Sequence, residues 1–186
     1  MVRGLLAADE NVQLSVSYTT RAMRPGEVDG KDYHFVSREQ FQQILERGEF
    51  LESAEVYGNY YGTSQVWINQ VMQSGKDILL EIDWQGAWQV RKIFPTAIGV
   101  FILPPSLEAL DQRLRNRGQD SEEIIQRRLK AAQEDISHVG EFEYAIINDQ
   151  FDVALQDLRA IFRAERLKIE KQLARHGDFL AKLKQD

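Results

Sequence analysis

The chain has 186 residues, of which 43% are apolar and 28% charged, a composition that excludes wholesale disorder and suits one ordinary domain. It contains no cysteine, only three histidines (His34, His138 and His176), and a formal charge of −6 from 29 acidic and 23 basic residues. Disulfides, thiolate metal sites and cysteine nucleophiles are therefore excluded, a histidine metal cage is not expected, and the acidic balance argues against general nucleic-acid binding.

Short β-rich runs alternate with longer helical patterns, and no internal repeat or linker interrupts them. Val12–Ser17 predicts the first strand and Tyr33–Val36 the next. Ser37-Arg38-Glu39-Gln40 reads as a capping box, with Val36 and Phe41 placed for a hydrophobic staple and Phe41, Ile44 and Leu45 on the buried stripe. Strands follow at Phe50–Val56, Asp77–Asp83 and Ala97–Leu103. Ile78-Leu79-Leu80 and Val100-Phe101-Ile102-Leu103 are continuously apolar, as expected of strands covered on both faces.

After the Pro104-Pro105 break, Leu107, Leu110 and Leu114 repeat at helical spacing. Asp120 with Glu123 predicts a second cap, ahead of Ile125, Leu129, Ala132 and Ile136 on one face. Tyr144–Asn148 is the last predicted strand. A long helix follows from near Phe151 with Ala154, Leu155, Leu158, Ile161 and Phe162 inward, and Arg175, His176 and Gly177 suit its end. Strands separated by helices imply βαβ units and a largely parallel core sheet, into which the stretch from Ser17 to about Gly75 reads as an inserted lobe. The longest apolar run, Ala97 to Leu103, is too short to cross a bilayer, and no basic-then-apolar leader opens the chain. A soluble, cytoplasmic protein is expected.

Four stretches carry chemistry. In Ser17-Tyr18-Thr19-Thr20-Arg21-Ala22-Met23-Arg24-Pro25-Gly26-Glu27, two arginines three apart precede a Pro-Gly turn and can converge on one anion. Two solvated loop arginines would read the same way. In Phe50-Leu51-Glu52, a carboxylate can accept both the ring N–H and the exocyclic amine of guanine, a pair that adenine does not offer. Tyr33 and Tyr61 can each give a hydroxyl to phosphate, although packing is the commoner use of tyrosines in a Tyr-Tyr-Gly turn. Leu80-Glu81-Ile82-Asp83-Trp84 ends an apolar strand with two carboxylates on one face, where open α/β sheets bind ligands and Mg²⁺. A helix cap by Asp83 and a salt bridge by Glu81 are the plainer alternative. Arg113 and Arg117 share a helix face, and Arg128 lies one helical arm further on, as in a mobile lid over transferring phosphates or in a solvated basic helix. His34 and His138 have no evident partner and read as structural.

Taken in order, the Ser17–Glu27 stretch, Gly58-Asn59-Tyr60-Tyr61-Gly62-Thr63, Asp83-Trp84-Gln85-Gly86 and Arg117-Gly118-Gln119-Asp120-Ser121-Glu122-Glu123 form a specific signature. The chain resembles guanylate kinase of the bacterial type, from about residue 2 to the C-terminal helix. The resemblance implies the P-loop nucleoside-monophosphate-kinase fold. A single domain of residues 1–186 would carry a GMP-binding lobe at 17–75 and a helical lid at 113–135. It also implies ATP-dependent phosphorylation of GMP with Mg²⁺, and no nucleic-acid or membrane partner.

Arg21, Arg24, Tyr33 and Tyr61 would hold the GMP phosphate, and Ser17, Glu52 and Thr63 would read guanine. Glu81 and Asp83 would face GMP and the water shell of the metal, with Glu81 standing where the family often has Asp. Arg113, Arg117 and Arg128 would clamp the ATP phosphates, and Asn148 would lie near adenine. The Gly-x-x-x-x-Gly-Lys-Ser/Thr loop of the family has no match: Gly26 and Gly30 are one residue too close, and Lys31 precedes Asp32. Met1 falls where the family is already inside its first helix, with Leu5 and Leu6 as its remaining turn. A start drawn too late or a shortened chain is expected, rather than a natural relative without the loop. As written, the chain is expected to bind GMP and to transfer phosphate poorly. A non-catalytic module of this family that binds GMP or a phosphopeptide is the alternative.

Overall fold

A computed structural model describes residues 1–118 and 120–183. A short helix, α1 (Val2–Ala8), leads into β1 (Val12–Leu14), β2 (Tyr18–Thr19) and β3 (His34–Phe35). Helix α2 (Arg38–Glu46) precedes the hairpin β4 (Phe50–Val56) and β5 (Asn59–Ser64), then α3 (Gln65–Gln73), β6 (Asp77–Leu79) and α4 (Trp84–Ile93). The remainder is β7 (Val100–Leu103), α5 (Leu107–Asn116), α6 (Glu122–Ser137), a 3₁₀ turn, β8 (Tyr144–Ile147), α7 (Phe151–Arg166) and α8 (Ile169–Leu183).

The capping box at Ser37 forms on both sides, with Ser37 Oγ accepting the Gln40 amide and Gln40 returning its side chain to the Ser37 amide. That fixes the entry of α2 and directs Phe41, 2% exposed, onto Phe50 and Tyr60. Val56 pairs with Asn59 across a two-residue loop, Tyr57-Gly58, with φ of +52° and +78°. Positive φ at both centres is the type I′ turn, which twists as the flanking strands do. Tyrosine is an unusual occupant there, so the hairpin carries no Asn-Gly signal, and β5 goes unpredicted because Gly58–Thr63 reads as a turn.

The described residues form three sheets. β3-β2-β5-β4 forms a mixed four-stranded sheet over Tyr18–Ser64. The parallel core consists of two separate ribbons, β1 with β6 and β7 with β8. A cavity of about 890 Å³ lies between them, lined along its length by Ile78, Leu80, Ile82, Val100 and Ile102. Ile78 and Leu80 pack on one apolar cluster and Leu79 on another, so the run Ile78-Leu79-Leu80 is covered on both faces although its open edge leaves β6 half-buried; on β7, by contrast, Ile102 is exposed. One core cluster joins Leu5, Val12, Ile146, Ala154 and Leu158, and a second joins Leu51, Ile68 and Val90.

Several boundaries differ from expectation. β1 stops at Leu14 and β6 at Leu79, and β7 starts only at Val100, because no neighbouring strand among the described residues extends their ladders. Helices α3 and α4 go unpredicted although Ile68 with Val71 and Trp84 with Trp88 stand at helical spacing; serine and aspartate caps at Ser64 and Asp83 start them. The cap of α6 is Ser121, whose Oγ accepts the Ile124 amide, rather than Asp120, whose carboxylate is drawn elsewhere. The final helix is two: α7 ends at Arg166, and Arg175, His176 and Gly177 lie within α8, where His176 kinks the backbone.

Candidate active site

The arginine loop is built by a turn. Pro25 and Gly26, the latter at φ +86°, bring the Glu27 amide back to the Arg24 carbonyl. Glu27 then accepts both terminal nitrogens of Arg21, at 2.7 and 3.0 Å, and the Arg24 amide at 2.7 Å. The Arg21 guanidinium holds the Glu27 carboxylate below its usual range. It also lies over the Tyr33 ring at 5.3 Å, and Tyr33 meets Tyr61 edge-on at 5.9 Å. Burial, with Tyr61 and Glu81 nearby, pushes the Tyr33 hydroxyl up. Arg21, Tyr33, Tyr61 and Glu81 thus share one neighbourhood.

Glu52 lies on β4, the edge strand at the far side of the same four-stranded sheet from β3. A register shift between Phe50 and Glu52 sets Glu52 opposite Thr63, whose hydroxyl donates to Oε1 at 2.5 Å. Glu52 is 4% exposed and Thr63 fully buried. Burial, reinforced by Asp83, pushes the Glu52 pKa up to about 7, against the pull of the Thr63 hydroxyl. Gly86 makes this packing possible: a Cβ there would stand 2.7 Å from Glu52 Oε2. Ser17, half-buried on the segment before β2, accepts the His34 amide through its carbonyl.

Glu81 and Asp83 lie on the extended segment beyond the carboxyl end of β6, and both line the cavity. Asp83 does cap α4, its Oδ1 accepting the Gly86 amide at 2.9 Å. Among the described residues Glu81 makes no salt bridge, and partial desolvation of its carboxylate pushes its pKa up. No group of three or more His, Asp or Glu side chains converges as a metal cage among the described residues. Two carboxylates with spare lone pairs at a strand end suit a Mg²⁺ that keeps most of its water. Asn148 lines the same cavity, its amide bonded to the Leu103 carbonyl at 2.7 Å.

The helical arms are brought in unequally. Arg128 donates to Asp120 Oδ2 at 2.7 Å and lies over the Tyr57 ring, while Arg24 donates to Asp120 Oδ1 at 2.7 Å. Arg113 and Arg117 are exposed at the end of α5, and among the described residues neither guanidinium makes a hydrogen bond or ion pair. Between them Arg115 pairs with Asp111 and Glu122.

Four residues went unread. Glu27 and Asp120 stand inside the quoted motifs, but as a turn residue and a cap. Tyr57 gives no signal, and Asp135 is a carboxylate of α6 that burial, then Asp83, pushes up. His138 has partners after all, stacking on Trp84 at 3.7 Å and bonding Glu141 through Nδ1 at 2.6 Å.

Comparison with known proteins agrees with the resemblance read from the motifs. The family model Guanylate kinase matches residues 3–165. The guanylate kinase of Nitrosospira multiformis is 61% identical over 98% of this chain and 87% of its own. That of Methylobacillus flagellatus is 58% identical over 98% and 91%. The crystal structure of guanylate kinase from Anaplasma phagocytophilum superimposes with a TM-score of 0.77 at 37% identity, over 94% of this chain and 88% of that one.

Proposed function

Because this chain belongs to the guanylate kinase family, ATP:GMP phosphotransferases of the P-loop nucleoside-monophosphate-kinase fold, we propose how its residues divide the work of phosphorylating GMP to GDP. Residues 17–75 form the GMP lobe and 113–135 the lid. Ser17, Glu52 and Thr63 read the base, Arg21, Arg24, Tyr33 and Tyr61 hold its phosphate, and Glu81 and Asp83 face GMP and the metal's water. Arg113, Arg117 and Arg128 spread charge on the ATP phosphates, with Asn148 near adenine.

The observation that carries this reading is the buried Glu52–Thr63 pair on the same four-stranded sheet as the Arg21–Tyr33–Tyr61 group. As a carboxylate, Glu52 accepts two donors from guanine, and against adenine it stays unpaired and buried. Transfer needs no covalent intermediate: the acceptor phosphate is aligned for in-line attack, and cations take up the developing charge. Bound Mg²⁺ would neutralise phosphate charge, held through water by Glu81 and Asp83. Substrates that are free nucleotides fit a cytoplasmic setting, and no helix among the described residues is long and apolar enough to cross a membrane.

Within these 186 residues no Gly-x-x-x-x-Gly-Lys-Ser/Thr stretch supplies amides and a lysine to ATP, so the chain as written binds GMP and transfers phosphate slowly. Calorimetry with GMP and AMP tests the first part; equal or absent binding of both overturns it. A coupled ADP-release assay tests the second, and turnover within the ordinary enzyme range of about 1–100 per second would refute it. The relatives reported above are all guanylate kinases, which leaves the peptide-binding alternative without support.

A further inference from the structure

Asp120 joins two parts of the chain that nothing in the sequence connects. Its two carboxylate oxygens each accept one guanidinium, Arg24 from the loop after β2 and Arg128 from α6, both at 2.7 Å. The Asp120 side chain is 3% exposed. A carboxylate so enclosed is expensive unless its charge is met, and here the two arginines meet it together. Each guanidinium gives Asp120 one terminal nitrogen, and among the described residues makes no other side-chain hydrogen bond, so both keep N–H groups for an anion. One negative charge between two positive ones lets the cations approach and still leaves the group attractive to phosphate. Asp120 is not needed for the helix, since Ser121 caps α6.

We propose that Asp120 is a positioning residue that couples the α6 arm to the GMP phosphate: by tying Arg128 to Arg24, it makes capture of the phosphate and closure of the arm one event. The proposal rests on the reading of Arg24 as a phosphate ligand. It assigns no contact between Asp120 and substrate. Its action runs through the two arginines, and Tyr57, under the Arg128 guanidinium, supplies the arm's seat on the hairpin.

The test is Asp120→Asn, which keeps size but removes the charge that holds both guanidiniums. GMP affinity is expected to fall about tenfold, within the usual range of coupling between sites, while guanosine, which carries no phosphate, binds as before. Amide hydrogen exchange supplies a readout that a merely structural role would not move. In the wild-type chain GMP is expected to slow exchange in α6; in Asp120→Asn it protects the strand around Glu52 and no longer α6. Arg128→Gln, which leaves Asp120 paired to Arg24, is expected to lose the same α6 protection. Unchanged GMP affinity in Asp120→Asn, or α6 protection retained in either variant, overturns the proposal. A wild-type chain that binds guanosine as tightly as GMP overturns the phosphate reading of Arg24 instead, and the coupling with it.

Discussion

Thr63 and Glu52 face one another across β4 and β5 only because the ladder slips a residue between Phe50 and Glu52, and the Thr63 hydroxyl then lies 2.5 Å from the carboxylate. The irregularity aims an ionisable group into the interior, where burial and Asp83 raise its pKa to about 7. Two consequences are measurable.

GMP binding should strengthen as pH rises through about 7, because only the carboxylate accepts both guanine donors. Folding responds with the opposite sign. The folded pKa lies above the ordinary 4.5, so the stabilising contribution is present below that value and is lost as pH rises through about 7, by about 3 kcal/mol. Glu52→Gln is expected to flatten both profiles and to weaken GMP binding by about 10- to 100-fold with the fold intact. Calorimetric titrations and thermal melts from pH 5 to 8 read both effects, and parallel profiles for the two proteins would contradict the assignment.

Gly86→Ala should disturb the same carboxylate from the helix side. The added Cβ would stand 2.7 Å from Glu52 Oε2 and 3.2 Å from Ile82 Cβ, and both neighbours are held in place. Overpacking of this kind costs about 1–3 kcal/mol. Chemical denaturation should show that loss, together with weaker GMP binding; a variant of wild-type stability would mean that α4 shifts freely.

Phe41→Ala removes the ring that packs on Phe50 and Tyr60 beneath the four-stranded sheet. A loss of about 3–5 kcal/mol is expected from the cavity left behind. Urea unfolding followed by tryptophan fluorescence measures it, and a loss below about 1 kcal/mol would show that the site collapses around the gap.

Arg166 ties the end of α7 to Asp9 and Asp77, at 2.6 and 2.5 Å. Arg166→Met leaves those two carboxylates facing each other and should cost about 3 kcal/mol at neutral pH. The arginine's hydrogen bond lowers the Asp9 pKa, so the stabilisation is present above the ordinary aspartate range and is lost as pH falls through the lowered value. The gap between variant and wild type should therefore narrow in acid. A constant gap from pH 7 to 3 would count against the ion pairs.

The sequence made the grouping of side chains more legible than the architecture. Glu52, Thr63, Tyr33, Tyr61 and Arg21, picked out in short motifs by residue type, fall on or beside one four-stranded sheet, Glu52 bonded to Thr63 and Arg21 over Tyr33. The Ser37 box and the strand Phe50–Val56 were readable because local signals and tertiary packing agree there. Strand β5 was not, since its turn uses a tyrosine at positive φ that is seated by an arginine 71 positions later. Asp120 has the residue type of a cap and the neighbours of an ion pair, and only the arrival of Arg24 from 96 residues away decides between them. The split core ribbon was hidden for a similar reason, because an apolar run looks alike whether or not another strand lies beside it.

That division has a mechanical side. Hydrogen-bond ladders resist shear, and none runs from β6 to β7 among the described residues, so stiffness between the two ribbons must come from side chains wedged across both. Leu5, wholly enclosed, packs in one cluster with Val12 of the first ribbon and Ile146 of the second. A seven-residue helix thereby serves as the rivet of the domain, and trimming that single leucine would loosen two plates at once.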